Sequence, residues 1–287
     1  LFCYAMIPPR MRLCIHRDVL NLLEQSHPDR VDELAFHSES CGEVVKAASY
    51  WKRIAERALR LWAYRDAAEA YSKALLHVGG GTHDSMKDRL DLLAKRASVW
   101  EVLGEIARCE ADIREILEAA ATGDFPLERC HAITLHSRLL IRRGYYHQAV
   151  ERARQALKVA QDLGDSRLEA RAREALALSL YRSNHDEDAR RIFLELLPTL
   201  ERLDDRDALE RVWNRIASLQ ASRGDSLVLS SLDAAERFWA GDLSERGLRG
   251  LLRGTVLAQM GRFDEARVTL QQAEKDYRRC GSHTGVA

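Results

Sequence analysis

The chain has 287 residues, in which 44 Lys and Arg balance 44 Asp and Glu. Zero net charge supplies no global field to draw DNA or an anionic membrane, so direct nucleic-acid contact by this segment is set aside. A membrane span is also set aside, for want of a run of about eighteen uncharged apolar residues. With 46% hydrophobic residues, 7% aromatics, 5 Pro and 16 Gly, composition favours helix and disfavours a sandwich or barrel.

The opening Leu1-Phe2-Cys3-Tyr4-Ala5-Met6-Ile7 is too short for a signal peptide and lacks a basic start, so the chain is expected to be a segment of something longer. A scrap of strand at residues 1–5 is the only sheet anticipated. Further on, Leu34, Ala35, Ala47, Ala48, Trp51, Ile54 and Ala58 precede Ala67, Ala70, Tyr71 and Ala74, which fits three helices near 31–41, 43–60 and 63–78. Residues 31–78 thus form a first three-helix unit, and the Gly-rich stretch 79–85 is read as a flexible linker.

From residue 86 to 287 a repeat dominates. Gly104, Gly144, Asn184 and Gly224 recur every 40 residues, and Gly261 follows 37 later. Gly and Asn tolerate the left-handed conformation that ends helices. Seven residues before these positions stand Ala97, Ser137, Ala177, Ala217 and Gly254; five residues after stand Cys109, Ala149, Ala189, Leu229 and Ala266. Small residues at fixed phases on both sides of a tight turn let antiparallel helices approach closely, so five hairpins of about 40 residues are expected. Breaks between them fall at Gly123-Asp124-Phe125-Pro126, Gly164-Asp165, Asp204-Asp205 and Gly241-Asp242. After Gly224 the phase slips: Asp233 and Glu236 occupy apolar positions, while Val228, Leu232, Ala235 and Trp239 give a displaced helical stripe. An amphipathic hairpin cannot bury its apolar face alone, so the expected fold class is all-α, a right-handed superhelical solenoid of about fourteen helices.

These features resemble tetratricopeptide repeats. The first 80 residues carry a second resemblance. Tyr4-Ala5-Met6-Ile7-Pro8-Pro9-Arg10-Met11-Arg12-Leu13-Cys14-Ile15-His16-Arg17, followed by Asp18–Glu24, looks like the junction that follows the nucleotide-binding and winged-helix domains of bacterial STAND-type signalling ATPases. In that family an Arg-x-x-x-His helix leads into a tetratricopeptide-like arm. The segments Leu34–His37, Ala47–Trp51 and Ala67–Leu75 are similar to its first arm hairpins. The resemblance implies that residues 1–30 are a junction helix behind an upstream ATPase domain. It implies a parent such as a large LuxR-type transcriptional regulator or an ATPase-coupled nucleotide cyclase. It also gives His16 and His37 a packing role at a helix junction.

The sequence holds no GxxxxGK[ST], HExxH, EF-hand loop or GxSxG, so no catalytic residue, cofactor or metal is assigned, and the chain is not expected to bind or hydrolyse ATP. Gly247, Gly250 and Gly254 lack dinucleotide-loop spacing and read as close helix packing. His131 and His136 lie five apart, about 140° around a helix, and cannot chelate from one face; with Asp112 they are the nearest thing to an acid–base set. His77 and His83 flank the Gly-rich stretch and would meet only by chance. The six scattered cysteines form no CxxC pair and suit a reduced, cytoplasmic chain.

One constellation repeats with the hairpins. The inner positions of their first helices include Arg138, Arg142, Arg171, Glu174, Arg182, Arg211, Asn214 and Ser218. Guanidinium forks suit carboxylates and phosphates. A concave wall of them would dock an acidic protein or peptide partner, or the chain's own upstream ATPase domain. The plainer reading is a solvated face with local pairs such as Arg171 to Glu174. The expected role is that of a sensor or scaffold arm, with a free-standing adaptor as the alternative.

Overall fold

The computed structural model describes residues 7–79, 81–239 and 241–279. Among the described residues there are fourteen helices and no strand; the anticipated strand scrap at residues 1–5 lies outside them. The helices are α1 (Pro9–Ser26), α2 (Val31–Ser40), α3 (Val44–Arg60), α4 (Tyr64–His77), α5 (His83–Leu103), α6 (Ile106–Thr122) and α7 (Pro126–Arg142). They continue as α8 (Tyr146–Leu163), α9 (Ser166–Arg182), α10 (Asp186–Arg202), α11 (Arg206–Ser222), α12 (Val228–Arg237), α13 (Leu243–Gln259) and α14 (Phe263–Arg279). The chain divides into two compact units, Leu1–Arg129 and Cys130–Ala287. The division falls inside α7 rather than at the Gly-rich stretch.

The repeat turns have one chemistry. Gly104, Gly144, Asn184, Gly224 and Gly261 all have φ between 67° and 80°. At each, the next residue's N–H reaches the carbonyl five positions back: Glu105 to Trp100, Tyr145 to Leu140, His185 to Leu180, Asp225 to Gln220 and Arg262 to Leu257, at 2.9–3.0 Å. That is the Schellman closure, which satisfies carbonyls a helix end would otherwise leave bare. The breaks between hairpins pair a stop with a start. Gly164, Asp204 and Gly241 take positive φ, and the aspartate after each caps the next helix. Asp165 accepts from Arg167 and Leu168 N–H, Asp205 from Ala208, and Asp242 from Ser244 and Glu245.

The small residues sit where hairpin packing needs them. Ala97, Ser137, Ala177 and Ala217, with Cys109, Ala149 and Ala189, are wholly buried. On α13 a Cβ at Gly254 would meet Leu270 Cγ at 2.6 Å, one at Gly250 would meet Ala273 Cβ at 3.0 Å, and one at Gly247 would lie 3.1 Å from the Tyr277 ring. The three glycines therefore form a seam against α14.

Three expectations change. The stretch 79–85 is not all linker, because α5 begins at His83; Thr82 and Ser85 cap it reciprocally, each side chain bonded to the other's backbone N–H. In the slipped repeat, Val228, Leu232 and Ala235 are buried as the displaced stripe requires, and Leu229 is not. Trp239 belongs to no helix: α12 stops at Arg237, and the indole is 41% exposed beneath the Arg246 guanidinium.

Candidate functional site

In the second unit the first helices of successive hairpins are α7, α9, α11 and α13. Ser137 on α7 is buried, donates to Ala149 O at 2.9 Å and lies 3.1 Å from Ser179 Oγ on α9. The expected site residues all lie on the first helices α7, α9 and α11.

Arg138, Arg142, Arg171 and Arg182 are exposed. Arg182, in the last turn of α9, lies over the Tyr146 ring of α8 at 5.9 Å. Glu174 and Arg211 are drawn together instead. Arg211 Nε and Nη2 donate to the two Glu174 oxygens at 2.8 and 3.0 Å, a fork spanning α9 and α11. The local pair of Arg171 with Glu174 is thus replaced by a pair between hairpins. Burial alone would raise the Glu174 carboxyl, but the Arg211 charge and hydrogen bonds, backed by Arg138 and Arg215, hold it below the usual carboxylate value. Glu174 in turn raises Arg211.

Asn214 does not offer hydrogen bonds at the surface. It is completely buried, its amide donating to Glu245 Oε2 at 2.9 Å, and Arg215 grips the other Glu245 oxygen at 2.8 Å. The Ser218 hydroxyl is spent on Asn214 O at 2.8 Å. Sequence reasoning missed Arg215 and Glu245, and also the deepest ion pair among the described residues of this unit. Arg249 on α13 is 2% exposed, with Nη1 2.7 Å from Glu210 on α11 and Nε 3.0 Å from Glu236. The signal was available: Glu210 and Arg249 stand 39 residues apart, close to the repeat length.

The other sequence-level candidates are structural where their contacts are described. Asp112 belongs to the first unit, where Arg96 forks onto it at 3.0 and 2.6 Å; burial nonetheless pushes its carboxyl up. His77 bonds Glu39 at 2.7 Å, and His83 stacks on Phe125 with ring centroids 4.7 Å apart, so the pair does not meet. His16 and His37 do meet, Nδ1 to Nδ1 at 2.9 Å, and burial and His16 together push His37 down. No group of three or more His, Cys, Asp or Glu side chains among the described residues is arranged to hold a metal. No described helix is long and apolar enough to cross a membrane.

No protein-family model matches the chain, and no curated protein matches it in sequence. Solved structures do match in fold. A tetratricopeptide repeat protein from Parabacteroides merdae superimposes with a TM-score of 0.65 at 15% identity, covering 96% of this chain and 98% of that one. The Rap conjugation gene regulator of plasmid pLS20, solved with the Phr* peptide, gives 0.65 at 11% identity over 95% of this chain and 91% of that one. A signal transduction ATPase with numerous domains and a tetratricopeptide repeat sensor, from Pyrococcus horikoshii, gives 0.62 at 11% identity; 96% of this chain matches 41% of that one. At these identities the likeness concerns fold alone, and that fold is an all-α solenoid of tetratricopeptide-like hairpins.

Proposed function

We propose that the chain is the sensor or scaffold arm of a multidomain signalling ATPase of the STAND kind, working in the cytoplasm as part of a transcriptional regulator. The observation that carries this reading is the run of exposed arginines, Arg138, Arg142, Arg171 and Arg182, on the first helices of consecutive hairpins. The match of nearly the whole chain to the sensor-bearing Pyrococcus ATPase supports it. Like charges repeated along stacked helices create a local field that the balanced total conceals. An acidic protein or peptide segment would be drawn to that field, and its binding would bias an inactive against an active parent. The chain's own ATPase domain is the intramolecular candidate for that role. On α1, Met11, Ile15 and Leu22 lie exposed along one side, which supports a covering partner there. An ATPase-coupled adenylate or guanylate cyclase is the alternative parent. A free-standing adaptor is the second reading, favoured by the near-complete mutual coverage with the Parabacteroides protein.

Two measurements test the proposal. In the reading frame upstream of Leu1, a GxxxxGK[ST] loop decides for the ATPase parent, and its absence decides for the adaptor. Calorimetric titration of oligoglutamate into the wild type and into Arg142→Glu/Arg182→Glu should show salt-sensitive binding that the double variant loses. Equal binding by both proteins, or binding indifferent to salt, would leave the arginines an ordinary solvated surface.

A further inference from the structure

A second place for a ligand lies in the first unit, whereas the arginine row belongs to the second. A groove of about 580 Å³ opens between α4, α5 and α6, within the roughly 300–1,000 Å³ typical of ligand pockets. Its floor is pre-set. Arg96 forks onto buried Asp112 and donates through Nη1 to Ser72 Oγ at 3.0 Å, so these groups are already satisfied. Glu69 on the rim is matched by Lys73 at 3.1 Å. Three charges remain. Arg65 on the α4 wall, and Arg108 and Glu105 on the α6 side, line the groove with no ion-pair partner among the described residues. Arg108 lies over the Trp100 ring at 4.8 Å, a cation–π contact that steadies its charged end beside the groove. Leu103 and the indole supply apolar surface beside it.

The uncompensated set is two cations and one anion, around a volume suited to a few residues of chain. We infer that this groove binds a short peptide with free termini. Arg65 and Arg108 take its carboxylate, Glu105 takes its ammonium group, and a side chain rests on Leu103 and Trp100. A bare dianion would gain the two arginines but face Glu105. A peptide zwitterion answers all three charges. This site is independent of the arginine row in the second unit.

Ligand-observed NMR on the full chain tests it, with a pool of tripeptides, the same pool C-terminally amidated, and inorganic phosphate as probes. Saturation should pass from the wild type to the free-carboxylate pool. Because hydrogen bonds to charged groups are strong, amidation should weaken binding about tenfold or more, and so should Arg65→Gln/Arg108→Gln. Unchanged circular dichroism and melting of that variant would show that the loss comes from the site. The Arg142→Glu/Arg182→Glu protein should bind the pool as the wild type does, which separates failure here from failure of the acidic-partner proposal. No transfer to the wild type, equal transfer to the amidated pool or to the double glutamine variant, or full displacement by equimolar phosphate would each overturn the inference.

Discussion

Both units join charges on helices one repeat step apart, and they treat them differently. In the first unit Lys52 and Glu56 on α3 face Asp91 and Lys95 on α5, at a spacing of 39 residues, with contacts of 2.8 and 3.2 Å. Their side chains are 34–40% exposed. In the second unit the same 39-residue step joins Glu210 on α11 to Arg249 on α13 at 2.7 Å, and both side chains are 2% exposed. A solvated pair contributes roughly 0–1 kcal/mol. A buried one can add little in total, yet losing one partner strands the other charge without water. Position in the repeat therefore fixes which residues meet, and burial decides what the meeting is worth.

The sharpest way to break this comparison is Arg249→Met. It should cost about 3–5 kcal/mol in urea unfolding, because the buried Glu210 carboxylate loses the opposite charge of Arg249. Glu210→Leu combined with Arg249→Met should recover most of that loss, since both ends of the charge are then gone. A single-variant cost below about 1 kcal/mol would place the buried pair in the solvated class and dissolve the contrast.

The next effect concerns packing. Ala177 is wholly buried on α9, and Ala177→Trp should overpack the hairpin at a cost of about 1–3 kcal/mol or more. A variant melting with the parent would undo the register on which the cross-hairpin pairs are read.

That register was legible in the sequence because each turn needs a left-handed residue, and Gly or Asn announces one. It was illegible where another residue does the same work. Trp62 closes the α3–α4 turn at φ 60°, with Ala63 N–H bonded to Ala58 O at 2.9 Å. A bulky residue in that region runs against the steric preference, so nothing in the pattern marks it. The capping box at Thr82 and Ser85 was hidden in a stretch that composition alone marks as loose. At the candidate site the exposed arginines were readable from helical phase. The pairing of Glu174 was not, because a three-residue spacing on one helix looked as good as the 37-residue step to Arg211. Stepping one to three residues short of the 40-residue repeat from each charged position would have found Arg211, Arg249 and the Lys52 quartet. Burial of Asn214 had no such signal, since it depends on Glu245 arriving from α13.

Acid titration sharpens the comparison within the second unit. The Glu174 carboxyl is held low in the folded chain by Arg211. A carboxylate with a depressed folded pKa stabilises the fold above its unfolded value, and that share disappears as pH falls through the folded value. Glu174→Gln should therefore flatten the acid limb of a stability–pH curve below about pH 4.3, the unperturbed glutamate value. An acid limb identical to wild type would mean that Glu174 gains nothing from Arg211.

The smallest effect is expected in the first unit. Lys52→Met removes the 2.8 Å contact to Asp91, but Lys95 stays 3.3 Å from the same carboxylate on the next turn of α5. Burial pushes Asp91 up, and the two lysines together hold it down; with one gone, the other and the surrounding water still serve it. The lysine stem also gives way to a methionine of similar reach, so little apolar contact is lost. The cost should stay under about 1 kcal/mol and shrink further in high salt, where exposed charges are screened. Measured beside Arg249→Met under the same conditions, a loss as large as that variant's would mean the first unit closes around its charges as tightly as the second.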